Sequence, residues 1–229
     1  IEDHTHDLIG DLAVNSNADW CFASLRKTLP IPDGGILWSP KRHNLPRQPQ
    51  LTHEVECFAS DRYRAMSLKR DYLRGDKILK SEFREIYIRT EEVVGALQMS
   101  AISTKSKEII ASLDIEEWYQ KKLNNWLYLV ANIVPTNFMT IQNLRIEKGF
   151  PFSFVLKFNT IDIRDRFKKE LIQRDIYPAI LWDIPNSDLI KERQYCDRML
   201  SLHCDGRYDL NDMKIMIERI NNIIKCFKL

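Results

Sequence analysis

Three residue types needed to hold and use a reactive aromatic aldehyde stand close together near the start of this chain: the amine of Lys27, the carboxylate of Asp3 and the hydroxyl of Ser24. A lysine amine bonds an aldehyde carbon, and a carboxylate keeps a ring nitrogen protonated so that the ring draws electrons from whatever the aldehyde carries. Hydroxyls and glycine-turn backbone supply donors for a phosphate. Ser24-Leu25-Arg26-Lys27 runs into Pro32-Asp33-Gly34-Gly35, so the lysine sits between an apolar segment and a turn that lets backbone approach a ligand closely. Pyridoxal 5'-phosphate is the group whose chemistry asks for these three functions in one place.

The elements that must position them are short strands. Ile1-Glu2 reads as a strand ending at Asp3, Asn17 to Leu25 (NADWCFASL) as a buried strand, and Ile36 to Ser39 as a third. Turn residues at Asn15-Ser16-Asn17 and from Pro30 to Gly35 separate them. Adjacent strand ends would then deliver Asp3 and Lys27 to the two ends of one flat ring, with Arg26 on the opposite face. Pro40 to Gln50, with prolines at 40, 46 and 49 and four basic residues, is expected to be a linker or an active-site loop.

On these residues the chain resembles the cofactor-lysine region of fold-type I pyridoxal phosphate enzymes, and among them the DegT/DnrJ/EryC1 sugar aminotransferases. The residues that carry the resemblance are Asp3, His6, Ser24, Lys27, Gly34 and Gly35. It implies that Lys27 forms the Schiff base and moves the substrate proton, that Asp3 pairs with the pyridinium nitrogen, and that Ser24 contacts the phosphate. His6 would lie near the phenolic oxygen, where the group more often has Gln. The resemblance further implies an amino acid donor, a keto sugar acceptor and a homodimer, with a phosphate turn and a ring-stacking aromatic supplied from before residue 1. The chain is accordingly read as the C-terminal part of a longer enzyme. Beyond residue 35 or so the likeness is weaker, through Arg174 to Pro178 and Met199 to His203, which resemble the group's small domain. Arg207 would hold a substrate carboxylate or a sugar-nucleotide phosphate.

The rest of the chain reads as packing. Helices are expected from about Thr52 to Arg74, with Gly75 as the stop, from Ser81 to Gln98, and from Ile115 through Val130 behind an Asp114 cap. Strands at Met139 to Ile146, Phe152 to Phe158, Ile176 to Trp182 and Met199 to His203 alternate with helices near Ile161 to Gln173 and from about Asp209 onward. The fold expected is α/β: the C-terminal part of an aspartate aminotransferase-like transferase. It comprises the end of a large-domain sheet (1–50), a helical connection (51–134) and a small α+β domain (135–229).

Composition narrows the classes. Thirty-four basic and 32 acidic residues leave a net charge of +2, so no global field draws the chain to nucleic acid or an anionic membrane. The longest apolar run, Trp126 to Val134, falls short of the roughly 20 residues that span a bilayer. Five cysteines without a CxxC pair argue against a disulfide framework or a structural zinc site, and no signal segment is evident, so a reduced cytoplasmic setting is expected. Two rivals remain. The His4/His6 pair after a strand would suit a metal-dependent hydrolase, although only His43, His53 and His203 are left as further imidazoles. Alternatively, the chain is a non-catalytic interaction domain whose helical middle is a partner surface.

Overall fold

Three short strands open the chain: β1 (Glu2–Asp3), β2 (Cys21–Ser24) and β3 (Gly35–Trp38), hydrogen-bonded in that order. The computed structural model describes residues 1–142, 149–181, 184 and 189–227. β1 runs parallel to β2, with Glu2 opposite Cys21 and Asp3 opposite Phe22, and a four-residue helix, α1 (Asp11–Val14), lies in the crossover. β3 returns antiparallel, with Ser24 opposite Gly35.

The strand expected over nine residues pairs over only four. Residues 17–20 stay irregular, with a bend at Asp19, and the Ser16 hydroxyl accepts from the Ala18 amide at 3.1 Å in place of a strand partner. Nor is β2 buried throughout: Cys21 and Ala23 are covered while Phe22 is exposed. This alternation is that of a strand with one covered face. After Ser24 the chain tightens into a 3-10 turn, Leu25–Lys27, in which the Leu25 carbonyl accepts from the amides of Thr28 (3.1 Å) and Leu29 (2.8 Å). Gly34, at φ +120°, then hands its carbonyl back to Leu25 N at 3.0 Å, in a conformation that L side chains rarely adopt.

Residues 40–50 carry almost no regular structure. Helix α2 (His53–Leu73) starts where the Thr52 hydroxyl accepts from Val55 N, and the chain leaves it through Gly75 at φ +97°. Helix α3 (Lys80–Val94) packs on it through Phe83, Ile86 and Ala65, laced by Arg62 to Thr90 (3.0 Å) and Arg89 to Asp61 (2.8 Å). Helix α4 (Thr104–Ser112), which the sequence reading lacked, completes a first unit, Ile1–Leu113. The two compact units divide at 113/114, within the stretch expected to be a helical connection.

The second unit, Asp114–Leu229, begins with α5 (Ile115–Asn132), whose Asp114 cap accepts from Glu117 N at 2.9 Å. An antiparallel sheet follows, ordered β4 (Met139–Ile141), β5 (Phe154–Phe158), β6 (Met199–Leu202). Helices α6 (Ile161–Ile172), α7 (Ile190–Cys196) and α8 (Leu210–Cys226) accompany it. Phe154, Leu156 and Phe158 alternate into a core with Phe167, Leu171, Met213, Ile220 and Leu129, all fully buried. The strand expected through Ile146 pairs over Met139–Ile141, and residues 143–148 lie outside the described residues. Of the strand expected at 176–182, Ala179 makes a single antiparallel bridge to Ser201, and Trp182 lies outside the described residues.

Candidate active site

The register of the first sheet decides which side chains share a face. Asp3 stands opposite Phe22, and Ser24 is two residues on, so Asp3, Phe22 and Ser24 lie on one face while Glu2, His4 and Cys21 lie on the other. The carboxyl ends of two parallel strands are where open α/β sheets commonly place ligands. Both Asp3 and Ser24 stand at those ends.

Thr5, buried at 6% exposure, ties the two strand ends together. Its amide donates to Asp3 Oδ1 at 2.8 Å, and its hydroxyl oxygen accepts from Ser24 N at 2.9 Å. The neighbouring Thr5 side chain is the main cause that holds Asp3 below the usual carboxylate range, against partial desolvation. The Thr5 amide and the charges of His6 and Lys27 add to the effect, so both residues lie within electrostatic reach of Asp3. His6 is half-buried in the turn after β1.

Lys27 closes the 3-10 turn with an exposed side chain, and its amine forms no hydrogen bond or ion pair among the described residues. The Ser24 hydroxyl likewise does not cap that turn. Arg26 turns away, to Glu91 at 3.2 Å, a carboxylate that Arg62 also holds at 2.8 Å. Asp33 does not line the site: buried at 6% exposure, its carboxylate accepts from the Ser103 amide (2.9 Å), the Ser103 hydroxyl (2.5 Å) and the Ser106 hydroxyl, anchoring the start of α4. The donor set that remains fits pyridoxal phosphate: an ionised carboxylate, an uncommitted amine and an uncommitted hydroxyl at one sheet end.

His4 and His6 do not form a shared metal face. β1 ends at Asp3 and the chain turns, so His4 stays with the sheet, 3.1 Å from Glu2 Oε2 and tilted against Trp38 at 5.4 Å, while the His6 charge acts on Asp3. Among the described residues, the one cluster with metal-ligand spacing is Glu2, His4 and Cys21. Its donors are already joined to one another, because Ser16 Oγ lies 2.7 Å from Glu2 Oε2 and 3.2 Å from Cys21 Sγ.

Arg207 belongs to the second unit, where its guanidinium grips Asp205 through two 2.7 Å hydrogen bonds. Burial raises Asp205 and the Arg207 charge and hydrogen bonds more than reverse this, leaving it below the usual carboxylate range. A substrate carboxylate would have to displace that pair. The loop bearing Arg207 is clamped by Asn125, whose side-chain amide donates to the carbonyls of Cys204, Asp205 and Tyr208 at 2.9–3.3 Å. In the basic loop, Lys41 and His43 both meet Asp19, at 2.8 and 3.3 Å. Thr5 and Asn125 escaped the sequence reading because small polar residues acquire these partners only through tertiary pairing.

No family model and no curated protein matches this sequence. Solved structures match in fold. The aminotransferase TlmJ from Streptoalloteichus hindustanus is 12% identical at a TM-score of 0.56, over 91% of this chain and 52% of its own. A DegT DnrJ EryC1 StrS aminotransferase from Brucella abortus is 12% identical at 0.54, over 96% and 56%. Spr1654 from Streptococcus pneumoniae, assigned as a sugar aminotransferase and solved in its PMP form, is 11% identical at 0.58, over 97% and 58%. This chain thus spans little more than half the length of the structures it matches. Among the described residues no helix is long and apolar enough to cross a membrane. The chain has, over that length, the fold of the sugar aminotransferases.

Proposed function

We propose that this chain is the lysine-bearing half of a pyridoxal phosphate-dependent aminotransferase of the DegT/DnrJ/EryC1 group. One observation carries the proposal: Asp3, ionised and fixed by Thr5, shares a sheet face and strand end with Ser24, beside a lysine whose amine is uncommitted. The fold shared with sugar aminotransferases and the share of their length it covers support the same reading. The substrate pair would be an amino acid donor and a keto sugar, free or nucleotide-linked, and the working form a homodimer.

Bound here, pyridoxal phosphate supplies an electron sink conjugated to the amine-bearing carbon of the substrate. Lys27 would hold the cofactor and, with its amine free, would take and return the proton at the substrate carbon. Asp3 would keep the ring nitrogen protonated, Ser24 would donate its hydroxyl to the phosphate, and His6, whose charge reaches Asp3, would lie near the cofactor. The full-length protein supplied with cofactor and an amino acid donor is expected to convert pyridoxal phosphate to its amine, and a keto acceptor to reverse the change, as followed by absorbance. A folded, cofactor-saturated protein that performs neither half of this exchange contradicts the proposal.

A further inference from the structure

The first sheet loses a ladder partner where β1 ends. His4 N still donates to Phe22 O at 2.8 Å, but the His4 carbonyl turns to accept from Asp7 N at 3.1 Å. Leu25 N points to the β3 side, where it meets Gly34 O at 3.0 Å, so the preceding amide, Ser24 N, faces β1. No strand carbonyl answers it; the Thr5 hydroxyl oxygen does, at 2.9 Å. With that oxygen fixed as acceptor, the single hydroxyl proton of Thr5 is free to go to the Asp3 carboxylate, and the Thr5 amide donates to Asp3 Oδ1 at 2.8 Å.

We infer that Thr5 is a positioning residue of the active site. Its side chain substitutes for the missing backbone carbonyl of β1 and couples the Ser24 amide to the Asp3 carboxylate, so that the two ends of the cofactor are held in one register. The inference rests on the aminotransferase reading. Thr5 touches neither cofactor nor substrate. It acts through Asp3 and Ser24, while the charges of His6, on its own turn, and Lys27, after β2, also favour the ionised Asp3 carboxylate. Thr5 is hydrogen-bonded to both strand ends, through its amide to Asp3 and its hydroxyl oxygen to Ser24 N. Valine at this position keeps the branched shape and lacks the hydroxyl; serine keeps the hydroxyl and lacks the methyl.

The test compares wild type, Thr5→Val and Thr5→Ser in the full-length protein by two readouts: the Asp3 carboxyl titration by carbon NMR without cofactor, and kcat and KM with it. Thr5→Val is expected to raise the Asp3 midpoint and to lower kcat on the order of 100-fold, the scale on which a misplaced catalytic group loses rate, with KM for the donor little changed. Thr5→Ser is expected to restore both. An Asp3 midpoint that stays put in Thr5→Val, or a loss of kcat shared equally by Thr5→Ser, overturns the inference and leaves Thr5 a packing residue. Should Thr5→Val not fold, the serine arm still decides, because a hydroxyl that suffices must rescue both readouts. Failure of wild type to yield a borohydride-fixed adduct on Lys27 sinks the aminotransferase reading instead; the cofactor-free titration still reads the Thr5–Asp3 coupling.

Discussion

A carboxylate serves a protonated ring nitrogen only while it remains ionised, and Asp3 owes that state to Thr5 more than to either neighbouring charge. Asp3→Ala is therefore expected to leave the lysine able to take cofactor while slowing turnover by at least about 100-fold, the cost of removing one preorganised charge; an unchanged kcat would void the pyridinium pairing. Lys27→Ala should be the opposite kind of variant. Its exposed side chain makes no hydrogen bond or ion pair among the described residues, so thermal stability is expected to move by no more than about 0.5 kcal/mol while transamination is lost. At this scale the sequence was legible where chemistry follows from residue type and spacing, as with Lys27, Asp3 and Ser24. It was illegible where a role depends on what lies across a gap. Thr5 looks like any threonine until β2 arrives, and Asp33 looked like a residue of the glycine turn until Ser103 and Ser106 claimed its carboxylate.

Two tethers do the positioning work of the elements. Asp33→Ala would orphan the Ser103 amide and hydroxyl at the start of α4 and leave the Ser106 hydroxyl only the backbone carbonyl of residue 33, and is expected to destabilise the first unit by about 1–3 kcal/mol in urea unfolding. If the midpoint does not move, those donors have other acceptors and the tether is not structural. Asn125→Ala should similarly loosen the loop around Arg207, since three carbonyls lose one donor group; faster amide exchange at residues 204–208 checks it. Element types were readable where periodicity and caps agree, as in α2 with Thr52 and Gly75 and α5 with Asp114. Boundaries were not. The strand through Asn17 to Leu25 shortened where the Ser16 hydroxyl takes the Ala18 amide, a local hydrogen bond that apolar patterning does not register. Helix α4 was overlooked because its residues are mostly polar, and its start is fixed by Asp33, some 70 positions away in sequence.

The molecule as a whole carries its cysteines unpaired, and burial separates them. Desolvation pushes the Cys204 thiol up from 9.0 to about 12, with the nearby Lys122 charge opposing it. The unfolded chain then releases this proton before the folded one, so the contribution of Cys204 to stability is complete below about pH 9 and falls as pH rises toward about 12. The slope is about 1.4 kcal/mol per pH unit. Cys204→Ala is expected to remove that slope from urea unfolding between pH 9 and 11, and an unaltered slope would show that the thiol is not desolvated. The proposed function turns on a single amine, that of Lys27. Its most direct measurement is borohydride reduction of the cofactor-supplemented, full-length protein, followed by peptide mass spectrometry. One pyridoxyl group per chain is expected, on Lys27, abolished by Lys27→Ala. A pyridoxyl group on another lysine, or none on a folded protein, would contradict it.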